Sequence, residues 1–410
     1  MLLETQMCSA SDGNIFRLIS GQFLRDPYPT LAALQEKPGV VPIVTNGLRM
    51  WLVTRYDDAK RVLADQSLGK DLVAVKEKIE HCMVRPEQHA RLPRPLRRSM
   101  FEQDGASHRR QRSLLAHLFT PRRVASMRPE LERVADDLLD ALPTDDAIDF
   151  VRGYSRPLVT TVLGDFVGVP PDARDEFPDW ENLILTATSA EEATEAGRKM
   201  YDFCHEMVAL KRKEPHEDVF TELVTMARED KLDEEELVAT VFLFLVAGVE
   251  ATSAMANGAL VLMTHPDQLT KVLADPSLWP GCVEEILRFE TSFRILPPRH
   301  CPTPIELDEV TIPADELIVV ANSAANRDPS RFEHPDVFDI TRPSHDHLAF
   351  GHGPHRCYGA ALGKLEVEVG LSKLLTRYPR TKLAIAPESL RWRPATFLRR
   401  LESLPVVVRQ

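Results

Sequence analysis

The sequence predicts a mainly α-helical protein with a minor β-rich part towards its C-terminal end. Apolar residues recur at helical spacing up to residue 289. Short runs of β-branched and apolar residues then follow at 305–307, 310–312, 317–320 and 404–408. No linker, repeat or low-complexity tract divides the 410 residues, of which 43% are hydrophobic. We therefore expect residues 1–410 to form one domain around a large core.

The helices and strands are predicted in chain order from turn residues and apolar spacing. An Asp-Pro-Tyr-Pro sequence opens a helix over 30–36, and a strand at 50–54 precedes a helix over 56–64. Segment 66–100 is less regular. Asp233 and Glu236 match a capping box at the start of the longest helix, and His265-Pro266 marks its end. Further helices are expected over 108–118, 127–141, 172–186, 189–213, 231–263, 280–289 and 360–375.

The composition favours a cytoplasmic protein without nucleic-acid or membrane partners. The formal net charge of −12 opposes binding to nucleic acid. Residues 1–22 lack the apolar core of a signal peptide, and the apolar run at 237–249 is too short to cross a bilayer. The cysteines are scattered without a Cys-x-x-Cys pair, which is typical of reduced thiols in the cytoplasm. They are Cys8, Cys82, Cys204, Cys282, Cys301 and Cys357.

Residues 350–359, Phe-Gly-His-Gly-Pro-His-Arg-Cys-Tyr-Gly, carry most of the functional information. Cys357 stands in a glycine-rich loop directly before the helix predicted over 360–375. Backbone N–H groups and a helix N-terminus favour a thiolate, so we expect a lowered pKa for this thiol. Gly351, Gly353 and Gly359 allow the chain to approach a flat ligand closely.

This loop fits the pattern F-G-x-G-x-H-x-C-x-G, which resembles the haem-binding loop of the cytochromes P450. The late position of the loop extends the resemblance over nearly the whole chain and implies the cytochrome P450 fold. The resemblance also implies haem b as cofactor and Cys357 as the metal ligand, because cysteine thiolate is a proximal ligand of haem iron. An isolated cysteine would otherwise be interpreted as a buried structural thiol. The matching positions are Phe350, Gly351, Gly353, His355, Cys357 and Gly359.

Four residues are candidates for holding the two haem propionates. His108 and Arg112 lie one helical turn apart, Arg299 follows a Pro-Pro pair, and His355 precedes the cysteine by two residues. Buried carboxylates need such cationic partners. The resemblance implies that these four bind the cofactor. It implies the same for Phe350, Gly351 and Gly359 of the loop and for Ala247 and Gly248 of the long helix.

Glu285 and Arg288 form an E-x-x-R spacing on one face of the helix over 280–289. On its own, this spacing is common on solvated helix surfaces. In cytochromes P450 the motif forms a buried charge network with a later arginine behind the haem, and Arg342 fits that third position. The resemblance therefore implies a structural network of these three residues.

The long helix is interrupted at 247–252, Ala-Gly-Val-Glu-Ala-Thr, which resembles the A-G-x-(D/E)-T motif of cytochromes P450. In that family the acid and the following threonine organise water near bound dioxygen. Glu250, Ala251 and Thr252 are therefore the candidate catalytic positions. Ala251 stands where threonine is expected, and Thr252 lies about 100° further round the helix. Either a water held by Glu250 and Thr252 or a substrate hydroxyl replaces the missing group, and we favour the hydroxyl because substrate binding would place it. Glu250 could instead pair with a surface cation.

The predicted substrate pocket is mainly apolar, whereas segment 66–100 is basic. That segment carries eight Lys and Arg residues against four Asp and Glu residues. It is either a solvated loop or a surface that attracts an acidic substrate or an acidic carrier domain. By resemblance, the pocket walls include Phe242, Val246, Phe293, Ile295, Leu296, Thr396 and Phe397.

The resemblance implies a monooxygenase that inserts an oxygen atom from O2 into a lipophilic substrate of secondary metabolism. A separate ferredoxin or flavodoxin-like protein would supply the electrons, because the chain has no nucleotide-binding fingerprint. Arg109, Arg110, Arg356 and Lys364 are candidate contacts for that acidic partner. The alternatives are a cytochrome P450 that catalyses oxidative coupling or desaturation, and a thiolate-haem sensor without turnover.

Overall fold

Helices form most of the structure, a computed structural model that describes residues 21–36, 39–90, 92–143, 146–187, 189–343 and 346–409. Cys8, Arg91 and most of residues 1–22 lie outside these ranges. The described helices are α1 (Gly21–Arg25), α2 (Tyr28–Glu36), α3 (Tyr56–Ala64), α4 (Gly105–Leu114), α5 (Pro121–Ser126), α6 (Arg128–Ala141), α7 (Arg156–Val167), α8 (Phe177–Thr186), α9 (Ala190–Lys213), α10 (Val219–Arg228), α11 (Glu234–Gly248), α12 (Ala251–Thr264), α13 (Pro266–Ala274), α14 (Trp279–Phe289), α15 (Asn322–Ala325) and α16 (Ala360–Arg377).

The strands form a four-stranded sheet, a three-stranded sheet and a hairpin. They are β1 (Val40–Thr45), β2 (Leu48–Val53), β3 (Ala147–Asp149), β4 (Arg299–Cys301), β5 (Ile305–Leu307), β6 (Val310–Ile312), β7 (Glu316–Val320), β8 (Lys382–Leu383) and β9 (Pro405–Val407). The largest sheet has the order β1-β2-β7-β4, with Trp51 of β2 opposite Ile318 of the parallel strand β7. The others are β3-β9-β8 and β5-β6. The β-rich part therefore also includes residues from the first sixth of the chain.

The predicted fold class is confirmed, and six of the described helices were missed. The structure gives α3 the predicted bounds and extends the helix expected over 360–375 to Arg377. The missed helices are α7, α10 and α13, with nine or more residues each, and the short helices α1, α5 and α15. Pro157 and Pro266 lie in the first turns of α7 and α13, where a helix tolerates proline because the first N–H groups need no helical partner. Pro266, which we interpreted as the end of the long helix, therefore lies at the start of α13.

The longest helical stretch is capped as predicted and then broken. Asp233 accepts the Glu236 N–H at 2.8 Å, and the Glu236 carboxylate accepts the Asp233 N–H at 3.2 Å. The helix breaks between Gly248 and Ala251. Taken together, residues 234–264 are long and apolar enough to cross a membrane, contrary to our expectation from the shorter run. The protein buries 67% of the most apolar window, as it would bury a core helix.

The core is divided between the helices and the large sheet. Leu262, Ile286 and Leu371 of α12, α14 and α16 are completely buried in the largest apolar cluster. A second cluster joins α7, α9, α10 and α11. On β7, Ile318 packs into one cluster and Val319 into another, because successive strand residues point to opposite faces. This packing holds α11 and α12 opposite the cysteine loop.

Candidate active site

A cavity of about 300 Å³ lies between the cysteine loop and the junction of α11 and α12. Phe350, Cys357 and Leu362 lie on one wall, and Phe244 and Ala251 lie on another. Among the described cysteines, Cys357 has an exposed side chain, whereas the other four are buried. Because Cys357 also lines the cavity, its thiol is accessible to a molecule bound there.

Backbone hydrogen bonds and two left-handed glycines shape the cysteine loop. The Cys357 N–H donates to the Phe350 carbonyl at 2.8 Å, which closes the loop. Gly351 and Gly353 have φ angles of +69° and +72°, which favour glycine. A Cβ on Gly353 would lie 2.5 Å from the Leu63 carbonyl oxygen. This glycine therefore permits packing against α3, whereas we expected it to serve approach to a ligand.

The electrostatic environment of Cys357 differs from the one we predicted. The Cys357 thiol is exposed only towards the cavity, and the protein around it keeps bulk water away and raises its pKa, an effect that the Gly359 N–H, Arg356 and Arg112 offset only in part. The expectation of a lowered thiol pKa is therefore wrong for the ligand-free protein, because removal from water outweighs the nearby positive charges. A metal ion at this position would deprotonate the thiol by coordination.

Seven Lys, Arg and His side chains line the cavity, and five of them, which include all four predicted propionate partners, form an electrostatically coupled group. Burial lowers the pKa of each of the five, to about 7 for Lys70 and to about 4 for His355. The protein therefore removes these groups from water without providing enough negative charge to compensate. They are Lys70, His108, Arg112, Arg299 and His355.

The described residues provide few acceptors for these five groups. Arg112 donates to the Arg356 carbonyl at 2.9 Å, and Arg299 donates to the Leu63 carbonyl at 3.3 Å. The rings of His108 and His355 stack at 4.0 Å, and the buried His108 Nε2 has no partner among the described residues.

Asp104 is the carboxylate in contact with this group of cations. One of its oxygens accepts the backbone N–H groups of Lys70 and Asp71 at 2.6 and 2.9 Å. The other lies 3.8 Å from His355 Nε2. Asp104 therefore fixes the loop that carries Lys70, while the excess of positive charge at this edge remains.

The cavity fits an iron porphyrin by the chemistry of its lining. It combines an accessible thiol on one wall, apolar walls and buried cations along one edge. A porphyrin with two propionates would supply the missing negative charges and the missing partner of His108. The five groups are thus suited to a ligand that carries more than one carboxylate.

The break between α11 and α12 places Glu250 at the cavity wall. A Cβ on Gly248 would lie 2.5 Å from Leu163 Cδ1, so Gly248 allows α11 to pack against α7. Glu250 is buried and lines the cavity, and its Oε1 has no partner among the described residues. Its Oε2 pairs with Arg400, whose side chain is 12% exposed. Burial raises the pKa of Glu250, Arg400 lowers it and Glu181 raises it further. Glu250 therefore pairs with an internal arginine and not with the surface cation that the sequence left open as an alternative.

Ala251 and Thr252 lie on different cavities. Ala251 lines the large cavity. Thr252 lines a smaller, polar cavity behind the helix, and its buried hydroxyl has no partner among the described residues. The prediction that Thr252 cannot simply replace the missing threonine agrees with this placement.

The structure brings Glu285, Arg288 and Arg342 together in the interior. Arg288 donates to both Glu285 oxygens at 2.7 and 2.8 Å, and Arg342 Nε lies 3.2 Å from both. Arg288 also donates to the carbonyls of Asn326 and Pro335 at 2.9 Å. These bonds fix the segment before the cysteine loop to α14, so the three residues support the site without lining it.

Two of the seven predicted pocket residues line the large cavity, Phe293 and Leu296. The other five are described and lie elsewhere. Phe242 and Val246 pack into the second apolar cluster, one residue before Leu243 and Ala247, which do line the cavity. One residue corresponds to about 100° around a helix, so the wrong face was predicted. The remaining corrections are Ile295 and Phe397, which pack against the sheet, and Thr396, which bonds Thr45.

Sequence reasoning missed Lys70 as a cavity residue and gave Glu366 and Arg400 no role. Glu366 lies on α16 at the cavity wall, burial raises its pKa to about 8, and its Oε1 has no partner among the described residues. An acid on the apolar face of a predicted helix could have revealed it. Lys70 is one of eight cations in its segment, and Arg400 lies 150 residues from Glu250, so neither had a local signal.

Comparisons with known proteins agree with this site. The family model described as Cytochrome P450 matches residues 277–386. Cytochrome P450 107B1 of Saccharopolyspora erythraea is 40% identical over 386 residues, covering 94% of this chain and 95% of the relative. The 6-deoxyerythronolide B hydroxylase of the same organism is 37% identical, covering 95% and 98%. The structure of the tirandamycin C-bound P450 monooxygenase TamI superposes with a TM-score of 0.89 at 33% identity, covering 96% and 99%.

Proposed function

The chain belongs to the cytochrome P450 family and is an oxidoreductase of the monooxygenase type, and we propose that it inserts one oxygen atom from O2 into a lipophilic natural product. One observation carries the proposal: across one cavity, the accessible thiol of Cys357 faces the helix break that holds Glu250 and Ala251. The relatives named for 6-deoxyerythronolide B and the structure bound to tirandamycin C favour secondary metabolism. We place this activity in one cytoplasmic domain.

Haem is the cofactor that the family implies, and its form is proposed to be haem b. Cys357 would hold the iron, while His108, Arg112, Arg299 and His355 would bind the two propionates. When bound, the haem supplies the iron centre at which O2 is reduced and activated. Phe350, Gly351 and Gly359 would flank it on the cysteine side, and Ala247 and Gly248 on the other.

Glu250 is the proposed proton donor on the side of the cavity opposite Cys357. Its free Oε1 is the atom that can give a proton towards the cavity. The Ala251 methyl group can neither donate nor accept a hydrogen bond. The Thr252 hydroxyl belongs to the other cavity, which weakens the case for a water held jointly by Glu250 and Thr252. These placements favour a hydroxyl of the bound substrate as the missing group.

The substrate is proposed to be lipophilic, because the substrate side of the cavity is mostly apolar. Phe101, Leu243 and Phe293 supply much of that surface. In the basic segment, Arg97 pairs with Glu102, and Arg98 pairs with Asp233 and Glu235. These pairs favour the solvated-loop interpretation. The exposed cations that remain for an acidic substrate group or carrier include Lys76, Lys78 and Arg94.

The family implies a separate redox partner, and we propose a ferredoxin or flavodoxin-like protein. Of the four predicted contacts, Arg110 already pairs with Glu236, and Lys364 pairs with Glu284 at 2.7 Å. Arg109 and Arg356 are exposed and make no ion pair with any described residue. Arg109 lies on helix α4 and Arg356 lies in the cysteine loop, and these two are therefore the preferred contacts for an acidic partner.

Isotopically labelled O2 tests the proposed reaction. The haem-loaded enzyme would be combined with NADPH, a surrogate ferredoxin and its reductase, and a panel of macrolide-type substrates. Label in the product supports oxygen insertion. Oxidised product without label indicates oxidative coupling or desaturation, and a substrate-induced spectral change without any product indicates a sensor.

A further inference from the structure

A second, polar cavity lies behind the helix break. It has a volume of about 80 Å³, which is enough for several water molecules. The hydroxyls of Thr252 and Ser253 lie on its inner wall. Arg152 and Asp179 line its outer part, and their side chains are 77% and 68% exposed. The cavity thus extends from solvent to the back of the helix that carries Glu250.

Arg400 separates the two cavities and connects three elements of the fold. Its guanidinium donates to both Glu181 oxygens at 2.8 and 3.0 Å and to Asn182 Oδ1 at 3.2 Å, both on α8. It also donates to Ser253 Oγ at 3.0 Å and pairs with Glu250 Oε2. Every hydrogen-bonding direction of the guanidinium therefore points to a group beside Glu250 or on α8.

The charges of this cluster do not balance. Glu181 and Glu250 are buried and share the ion pairs of one arginine, so the directly paired groups carry one more negative than positive charge. Burial opposes the charge on Arg400, but the two carboxylates hold its pKa above the ordinary value. Arg393 also acts on Glu181 and Arg400 from the C-terminal segment. A proton on one of the two carboxylates would remove the imbalance.

We propose that protons consumed in the reaction enter through the polar cavity, and that Glu181 and Arg400 are positioning residues that set the protonation of Glu250. This inference rests on the proposed monooxygenase function. Glu250 gives a proton from Oε1 towards the large cavity and regains one from water in the polar cavity by way of the Ser253 hydroxyl, which lines that cavity and acts on the Glu250 carboxylate. Arg400 holds Oε2, which keeps Oε1 directed away from the arginine. Glu181 supplies the negative charge that keeps Glu250 able to hold its proton.

Two substitutions that nearly preserve the shape of the side chain change the charge beside Arg400 in opposite directions. Glu181→Gln removes a negative charge beside Arg400 and should lower the pKa of Glu250. Asn182→Asp adds one and should raise it. If protonated Glu250 is required, activity is lost on the basic side when its proton is lost. The basic limb should therefore shift to lower pH in Glu181→Gln and to higher pH in Asn182→Asp, each by about one unit.

The experiment measures product formation by the haem-loaded enzyme from pH 6 to 9, together with the share of reducing equivalents recovered as hydrogen peroxide. At neutral pH, Glu181→Gln should release more peroxide, because proton supply fails. Glu181→Asp, which keeps the charge, should restore the profile. Glu176→Gln is the control, because it removes an exposed charge directly before the same helix and outside the polar cavity, and it should change nothing.

Opposite shifts of the two variants support the proposal, and equal shifts or no shift overturn it. If Glu181→Gln does not fold, the shift of the basic limb of the Asn182→Asp pH profile to higher pH tests the proposal on its own. The haem spectrum with CO checks that each variant retains its cofactor. A wild-type enzyme that forms no oxygenated product contradicts the proposed function itself. A wild-type enzyme that turns over, with profiles unmoved by either variant, contradicts only the proton route.

Discussion

The two polar regions of the active site have opposite charge imbalances. At the edge of the large cavity, a group of five Lys, Arg and His side chains has one carboxylate, Asp104, within 4 Å of a member, at 3.8 Å from His355 Nε2. At the helix break, two carboxylates, Glu181 and Glu250, share one arginine, Arg400. Most of these side chains are buried, and burial makes an unbalanced charge costly in both regions.

The difference shows what each region needs in order to be complete. An excess of buried cations raises the free energy of the ligand-free protein and is relieved when a dianionic ligand binds. An excess of buried carboxylate is relieved by a single proton, which can be released again during catalysis. We therefore propose that the first region serves retention of a cofactor and that the second serves proton exchange.

Loss of the thiol should have the largest effect. Cys357→Ser should abolish the red-shifted Soret band of the reduced, CO-bound protein, because that band requires thiolate ligation. Cys282→Ser and Cys301→Ser should keep it, since both thiols are completely buried in apolar clusters. A band that survives in Cys357→Ser, or that disappears in a control, would mean that the cations do not serve a haem on this loop.

Glu250→Gln should leave haem content unchanged and slow turnover by roughly 100-fold or more, the usual contribution of a positioned acid or base. The variant keeps the shape of the side chain and its contact with Arg400, but removes its titrating proton. Haem content and turnover per haem are measured on the same preparation. A loss of haem in Glu250→Gln would show that the two regions are not functionally separate.

A substrate analogue distinguishes the two routes that remain open at Ala251. If a substrate hydroxyl replaces the missing threonine, an analogue without its hydroxyl nearest the iron should still bind, yet most reducing equivalents should appear as peroxide. Thr252→Val should then have little effect on the peroxide share with the parent substrate. The water route would be favoured if the analogue releases no more peroxide than the parent substrate and if Thr252→Val raises the peroxide share.

The parts of the site that sequence predicted are those carried by local motifs. Cys357, Glu250 and the pair Glu285 and Arg288 lie in short patterns whose spacing has a chemical reason. The partners across the fold had no such signal. Glu181 and Arg400 are 219 residues apart, and only the packing of α8 against the C-terminal segment brings them together.

Errors of one residue explain several of the differences. Leu296 lines the cavity while Ile295 is buried under the sheet, because neighbouring extended residues point to opposite sides. Phe242 misses the cavity that Leu243 lines because adjacent helical residues differ by about 100°. Periodicity therefore identified α11 as a helix, and tertiary contacts were needed to decide which face meets the ligand.

Lys70→Met should stabilise the haem-free protein and weaken haem binding. Burial, with help from Arg299, lowers the pKa of Lys70 to about 7 from 10.5. The unfolded chain therefore binds more protons between pH 7 and 10.5, and wild-type stability rises with pH across that window. The variant should be more stable by roughly 1–4 kcal/mol at pH 7, with the difference shrinking towards pH 10.5.

Denaturant unfolding of the haem-free proteins and haem dissociation rates measure the two effects. Lys76→Met, an exposed lysine of the same segment, is the control and should change neither. A variant that is less stable without haem would indicate that Lys70 contributes packing rather than unbalanced charge. Equal haem dissociation rates in the wild type and in Lys70→Met would show that Lys70 does not contribute to haem binding.

The smallest expected effect concerns the surface outside the haem edge, where Arg109 and Arg356 extend the positive imbalance to solvent. Each is adjacent in sequence to one of the stacked histidines, His108 and His355, and both are exposed. An acidic redox protein would be steered to them, so the electron-transfer rate should fall as ionic strength rises. The double variant Arg109→Glu, Arg356→Glu should reduce the rate by roughly tenfold at low salt and flatten its salt dependence. Lys78→Glu, at an exposed position of the basic segment, should leave both unchanged. If the wild-type electron-transfer rate does not depend on ionic strength, the exposed arginines have no part in docking the redox partner, and the positive charges serve only cofactor retention.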